Sequence, residues 1–378
     1  MAKLGEVCKL NMGQAPDSSS YNDAGDGIPF FQGNADFGEI HPNIRVWCNA
    51  PTKIAHPGEI LISVRAPIGA MNIADCECCI GRGLASISAD EAICTTKYLW
   101  YGISSKIEEL NAKGTGSTFK AINKKTLEET EIPIRDLMEQ ERIAANLDRV
   151  TALISLRKQQ LAKLDELVKA RFVEMFGDFE FNPKEFPVYH LCELCDVGSS
   201  KRIYQEEQSI SGIPFLKVAD LNELIDTGKY SCSTFIPLER YEQLLHKELT
   251  PTENDILITS RGTLGKCYIV QSDDEFYFQD GMISWLSNFS PKVSSIYISY
   301  LFAQPYIQKQ IESLQAGSTV AYLSIAMLKK INVILPPKKL QDDFATFVEH
   351  VDQQKQTVQQ SLEKLELMKK GLMQEYFG

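Results

Sequence analysis

The longest regular pattern in the chain is a seam of apolar positions stepping by four and three. It runs through Ile143, Leu147, Val150, Ile154, Arg157, Leu161, Leu164, Val168, Arg171 and Met175. That step keeps every member on one stripe of a helix and marks a coiled-coil partner. A shift of 377 − 176 = 201 residues brings Phe176-Gly177 onto Phe377-Gly378 and gives a second seam of Phe344, Val348, Val351, Lys355, Val358, Leu362, Leu365, Lys369, Leu372 and Tyr376. Each seam carries charge where its copy is apolar: Arg157 and Arg171 match Val358 and Leu372, while Lys355 and Lys369 match Ile154 and Val168. Seams that diverge in this way suit pairing with each other within one chain. The predicted helix-pairing set is Ile143, Leu147, Val150, Ile154, Leu161, Leu164 and Val168 with Phe344, Val348, Val351, Val358, Leu362, Leu365 and Leu372. About 40 residues at about 1.5 Å each make a rod of about 60 Å.

Before each seam the periodicity changes to short apolar runs between turn residues, and the two regions repeat each other. Leu4-Gly-Glu-Val-Cys8 matches Leu191-Cys-Glu-Leu-Cys195, and Gly27-Ile-Pro-Phe30 matches Gly212-Ile-Pro-Phe215. Glu59-Ile-Leu-Ile-Ser-Val-Arg65 matches Asp255-Ile-Leu-Ile-Thr-Ser-Arg261, each a buried strand that delivers an arginine to a loop ending at Gly69 or Gly265. Gly81-Arg-Gly-Leu-Ala-Ser-Ile87 matches Asp280-Gly-Met-Ile-Ser-Trp-Leu286, and helix-like Tyr98-Leu-Trp-Tyr101 matches Tyr300-Leu-Phe302. Turns at Gly116-Ser-Thr118 and Gly317-Ser-Thr319 follow, and Pro133 or Pro336 ends each region.

The fold class expected is α+β: two repeated mixed α/β domains separated by a long antiparallel two-helix coiled coil, with pseudo-twofold internal symmetry. The domains are 1–136, the central helix 137–178, the second domain 179–337, and the closing helix 338–378. Parallel helices would need a return of about 60 Å that no extended linker supplies.

The balance of 39 basic and 50 acidic side chains gives a net charge of −11. None of the four segments has a basic excess, so any nucleic-acid contact must rest on local patches or on a partner subunit. No run of eighteen apolar residues is present, which speaks against a membrane span. Ten cysteines without a leader sequence read as reduced thiols, pointing to the cytoplasm. Cys192 and Cys195 have zinc-like spacing, but the repeat aligns Cys195 with the lone Cys8, which indicates a packed residue and no metal site.

In order and in duplicate, these motifs resemble the DNA specificity subunits of type I restriction-modification enzymes. The resemblance rests on the paired Gly-Ser-Thr turns, the strand-to-arginine loops at Arg65 and Arg261-Gly-Thr-Leu-Gly265, and two helices with glutamine-rich starts and Phe-Gly ends. It implies that each mixed region is a target recognition domain reading half of a split double-stranded DNA sequence. The helices would act as a ruler and as a dock for two DNA methyltransferase (modification) subunits, to which restriction/translocase subunits can be added. The chain would itself be non-catalytic and without a cofactor; S-adenosylmethionine, ATP and Mg would belong to the partner subunits. The rod would match a bipartite site of about 12 to 18 base pairs at about 3.4 Å per pair.

For DNA contact, the resemblance directs attention to Arg65, Arg82, Arg261 and Thr263. A guanidinium fork fits guanine or phosphate, although such an arginine serves equally well as the partner of a carboxylate. Ser117, Thr118, Ser318 and Thr319 offer small hydroxyl donors to phosphate. Lys120, Lys124 and Lys125 follow the first turn, Lys329 and Lys330 follow the second, and Lys201 with Arg202 adds a basic pair where the first unit has Pro16-Asp17. An adenine methyltransferase would require a loop of the Asn-Pro-Pro-Tyr type, which neither Asn182-Pro183 nor Pro336-Pro337 supplies. The competing readings are a protein-binding scaffold and an autonomous DNA-modifying enzyme. Salt-sensitive binding to a bipartite duplex opposes the first, and methyl transfer by the purified chain would reveal the second.

Overall fold

A computed structural model describes residues 1–116, 120–315 and 321–378. The chain divides into two compact units, Met1–Gln160 with Val358–Gly378 and Leu161–Thr357. Two 40-residue helices, Leu137–Phe176 and Lys338–Phe377, contribute a portion to each unit.

Unit 1 is built on a four-stranded antiparallel sheet in the order Cys8–Met12, Leu84–Ala89, Ile60–Ser63, Met71–Ile73. Unit 2 repeats that order with Asp196–Gly198, Ile283–Ser287, Ile256–Thr259 and Cys267–Ile269. The central strands Ile60–Ser63 and Ile256–Thr259 are buried at every residue, which is why neither alternates apolar with polar positions; each reads as three apolar residues and one small hydroxyl residue. A second sheet in each unit pairs two strands in parallel, with Phe30 beside Cys79 in unit 1 and Phe215 beside Tyr277 in unit 2.

In unit 1 the start of the first long helix meets the end of the second. Ile143, Ala144 and Leu147 share a core with Tyr376 and Phe377, and Leu372 and Met373 pack against it. In unit 2 the end of the first helix meets the start of the second: Phe172 and Phe176 each lie edge-on to Phe344, with centroids 5.3 and 5.4 Å apart. The pairing is antiparallel within each unit. Every apolar residue of the predicted pairing set is buried or half-buried.

Residues related by the 201 shift are not the ones that face each other, since in an antiparallel pair the sum of positions stays nearly constant. The charged seam residues therefore find other partners. Lys355 meets Asp165 at 2.6 Å, Arg171 lies 5.7 Å from the Phe347 ring centroid, and Arg157 Nε donates to Ser361 Oγ at 3.3 Å.

Each long helix is fastened at its start by a fully buried glutamine. Gln140 Oε1 accepts from Thr95 N at 2.9 Å, and its Nε2 donates to the carbonyls of Ile93 and Arg135 at 2.8 Å each. Gln341, 201 residues on, accepts from Ser294 N at 2.9 Å and donates to the carbonyls of Lys292 and Pro336 at 3.0 and 2.7 Å. Beside each glutamine stands a buried tyrosine that donates to the chain before the helix: Tyr98 to Pro133 O at 2.9 Å, and Tyr297 to Ile334 O at 2.5 Å. Phe377 packs on Tyr98 at 4.9 Å, and Phe176 on Tyr297 at 5.0 Å. The structural counterpart of Tyr98 is thus Tyr297, three residues before the Tyr300 matched from sequence. Each tyrosine is the third residue after the capping Thr95 or Ser294.

Replacing either glutamine by a methionine of similar length removes the buried side-chain amide that pairs one backbone N–H and two carbonyls. Gln140→Met and Gln341→Met are each expected to lower the unfolding free energy by about 3 kcal/mol, read from denaturant midpoints.

Candidate nucleic-acid interface

The strand Ile60–Ser63 leaves its sheet at Val64, and three backbone bonds define the exit. Val64 N donates to Gly83 O, Ile122 N to Val64 O and Ala66 N to Lys120 O, each at 2.9 Å. Arg65 is bridged to Ala121, so its backbone is held on both sides while its side chain is exposed. Unit 2 repeats the construction: Ser260 N donates to Met282 O at 2.9 Å, Leu323 N to Ser260 O at 3.0 Å, and Arg261 is bridged to Tyr322.

The loops then close identically, with Gly69 N donating to Ser63 O and Gly265 N to Thr259 O, both at 2.9 Å. Both glycines have positive φ, and a Cβ on either would come within 2.8 Å of Ile107 or Ile311. The motif needs glycine at that position on both counts.

In unit 1, Arg65 and Arg82 line one cleft of about 230 Å3 together with Gln32, Gly33, Asn34, Ser63, Ala66 and Gly83. Arg45, Arg135, Arg142, Arg171, Arg202 and Arg240 each have a carboxylate within reach. Among the described residues Arg65 and Arg82 have none, and the side chains of Gln32 and Asn34 make no hydrogen bond. The cleft therefore presents unpaired cations and free amide groups, the side-chain types that fork onto guanine and adenine. Gln32 and Asn34 were not legible as members from sequence. They reach the cleft because the parallel pairing of Phe31 with Ile80 lays one strand end beside the other.

In unit 2 the guanidinium of Arg261 lies 5.8 Å from the Tyr322 ring centroid. Thr263 is exposed and lines a recess of about 370 Å3 with Ile225, Tyr300 and Gln308. Lys201 and Arg202 are exposed, and Arg202 is paired with Asp280.

The downstream lysines differ between the units despite their matching order in sequence. Lys120 is exposed beside the Arg65 bridge. Lys124 and Lys125 lie on a helical turn, Lys124–Glu128, and pair with Glu128 and Glu129 at 3.2 and 3.7 Å. Lys329 instead lines a recess with Cys192, Cys195 and Trp285, and Lys330 lines another with Glu180 and Lys309. Ser117, Thr118, Ser318 and Thr319 lie outside the described residues.

Two copies of one mixed unit, each ending a buried strand in an exposed arginine and each closed by the ends of two long helices, define a duplicated recognition architecture. The model of the type I restriction modification DNA specificity domain matches residues 1–166 and 183–367, and the chain belongs to that family. It is 42% identical over 161 residues to the putative type I restriction enzyme MjaX specificity subunit of Methanocaldococcus jannaschii, covering 43% of this chain and 38% of that protein. It is 26% identical over 299 residues to the type I restriction enzyme MjaVIII specificity subunit of the same organism, covering 73% of this chain and 68% of that one. The match thus spans well under half of the first relative's length. The crystal structure of the type I restriction-modification system S subunit from M. genitalium has the same fold, with a TM-score of 0.61 at 17% identity over 100% of this chain and 95% of that one.

Among the described residues, no three His, Cys, Asp or Glu side chains gather as a metal ion would require, and no helix is long and apolar enough to cross a membrane. Cys8 and Cys195 occupy equivalent buried positions, their thiols donating to Leu4 O and Leu191 O. Burial pushes the thiols of Cys8, Cys78, Cys94 and Cys195 up to about 12. Near neutral pH these four are expected to resist alkylation until denaturant is added, while the exposed Cys192 reacts in the native protein; mass spectrometry of labelled peptides reads the order.

Proposed function

We propose that the chain reads a bipartite duplex DNA sequence on behalf of methyltransferase subunits, with one half-site assigned to each mixed unit. The observation that carries this reading is the duplicated strand exit, which holds Arg65 and Arg261 by a matching β-bridge and two matching backbone bonds and leaves both guanidinium groups without a carboxylate partner among the described residues. A rigid backbone with an unpaired cation suits base-edge readout, because little ordering entropy remains to be lost on binding.

The long helices supply the remaining parts of the proposal. Leu153, Leu156, Leu367 and Met368 are exposed on them at 44, 58, 71 and 54% and would give methyltransferase subunits an apolar docking surface. S-adenosylmethionine and the adenine chemistry would reside in those subunits, with ATP and Mg in any restriction subunit that joins.

Co-expression with the cognate methyltransferase, followed by sequencing for methylated adenine, is expected to return a split motif with a fixed unread gap. Arg65→Ala should weaken discrimination about 10- to 100-fold at one base pair of one half-site and leave the other half unchanged. Methylation with no split motif would overturn the reading.

A further inference from the structure

The connection that carries Arg82 differs between the units in length and in charge. In unit 1 it is Gly81-Arg82-Gly83, between Ile80, paired with Phe31, and Leu84. In unit 2 the equivalent ends are Phe278, paired with Leu216, and Ile283, and the residues between them are Gln279-Asp280-Gly281-Met282. Arg82 is thus replaced by a longer turn bearing a carboxylate. That carboxylate holds an arginine brought from elsewhere: Arg202 Nε donates to Asp280 Oδ2 at 2.8 Å.

The segment delivering Arg202 is stitched down along its length. Ser199 Oγ donates to Ile283 O at 2.9 Å and accepts from Gly281 N at 3.2 Å. Ser200 Oγ donates to Phe278 O at 2.6 Å, and Lys201 N donates to the Tyr277 hydroxyl at 2.8 Å. Ile203 is then buried on the far side. An ordinary exposed ion pair loses most of its worth to side-chain entropy and solvent, but here both backbones are fixed. Asp280 is 20% exposed and engages only Nε, whereas Arg202 is 65% exposed with both terminal nitrogens unclaimed among the described residues.

From this geometry we infer that Arg202, oriented by Asp280, is the specificity-determining counterpart of Arg82 and reads a guanine in the half-site of unit 2. The terminal N–H fork fits the O6 and N7 acceptors of guanine in the major groove, and a carboxylate behind Nε fixes the plane of that fork. Asp280 is a positioning residue that touches no base. The inference rests on the half-site reading proposed above.

The test uses the full complex with its methyltransferase subunits and compares Arg202→Lys, Asp280→Asn and wild type by sequencing methylated adenine. Salt-dependent binding to the wild-type site is measured in parallel. Both variants are expected to relax the same single G·C pair about 10- to 100-fold in one half-site, leaving the other half and the spacer intact. A phosphate contact would behave differently. Arg202→Lys would keep the motif, and Arg202→Ala would weaken binding to all sequences alike while lowering the salt slope by about one. That result overturns the inference, as does an unchanged motif in both Arg202→Lys and Asp280→Asn. A split motif from the wild-type complex separates such a failure from failure of the half-site reading itself.

Discussion

Everything else in the molecule depends on two buried side-chain amides, Gln140 and Gln341. Each one satisfies a backbone N–H and two carbonyls of the segments around the start of a long helix, so the first turns of that helix are tied to their mixed unit by three hydrogen bonds. The anchored start fixes the direction of the helix. Within unit 1 the Phe377 end packs on Tyr98, and within unit 2 the Phe176 end packs on Tyr297; the tyrosines in turn secure the carbonyls of Pro133 and Ile334. Glutamine suits the role because its amide both donates and accepts, which a carboxylate or an ammonium group cannot do.

On this frame the arginine loops need little further support. The buried strands Ile60–Ser63 and Ile256–Thr259 are immobilised by neighbours on both sides, and the exit bonds continue that rigidity past the sheet edge. Duplication kept the exit and varied its surroundings. Unit 1 places Arg82, Gln32 and Asn34 beside the first arginine, while unit 2 places Tyr322 against the second and an Arg202–Asp280 pair on the neighbouring connection.

The helices and central strands were legible in the sequence because their periodicity is local: ten seam positions, or three consecutive apolar residues followed by a small hydroxyl residue, report the element directly. The internal repeat carried Arg65 onto Arg261 correctly because the strand before each arginine has no insertion. It failed at Tyr98, where the match fell on Tyr300, since two aromatic residues three apart look alike on one helical face. The cleft itself was not legible. Gln32 joins Arg82 only through a parallel strand pair, and Asp280 joins Arg202 across 78 residues of chain. Lys124 and Lys125, a basic cluster in the sequence, each stand one helical turn from a carboxylate, a neighbour that the order of residues alone does not single out.

The contribution of both long helices to each unit also sets an order of assembly. Unit 2 is a continuous stretch, Leu161–Thr357, whereas unit 1 is interrupted by all of it. During synthesis the sheet around Ile60–Ser63 emerges first, yet its core lacks Tyr376 and Phe377 until the ribosome has passed them. Closing a loop of about 200 residues costs on the order of 5 kcal/mol in chain entropy if the loop is floppy, and less once the intervening stretch has folded. The second unit made is thus the first that can be completed, and the earliest part of the chain waits longest for its core.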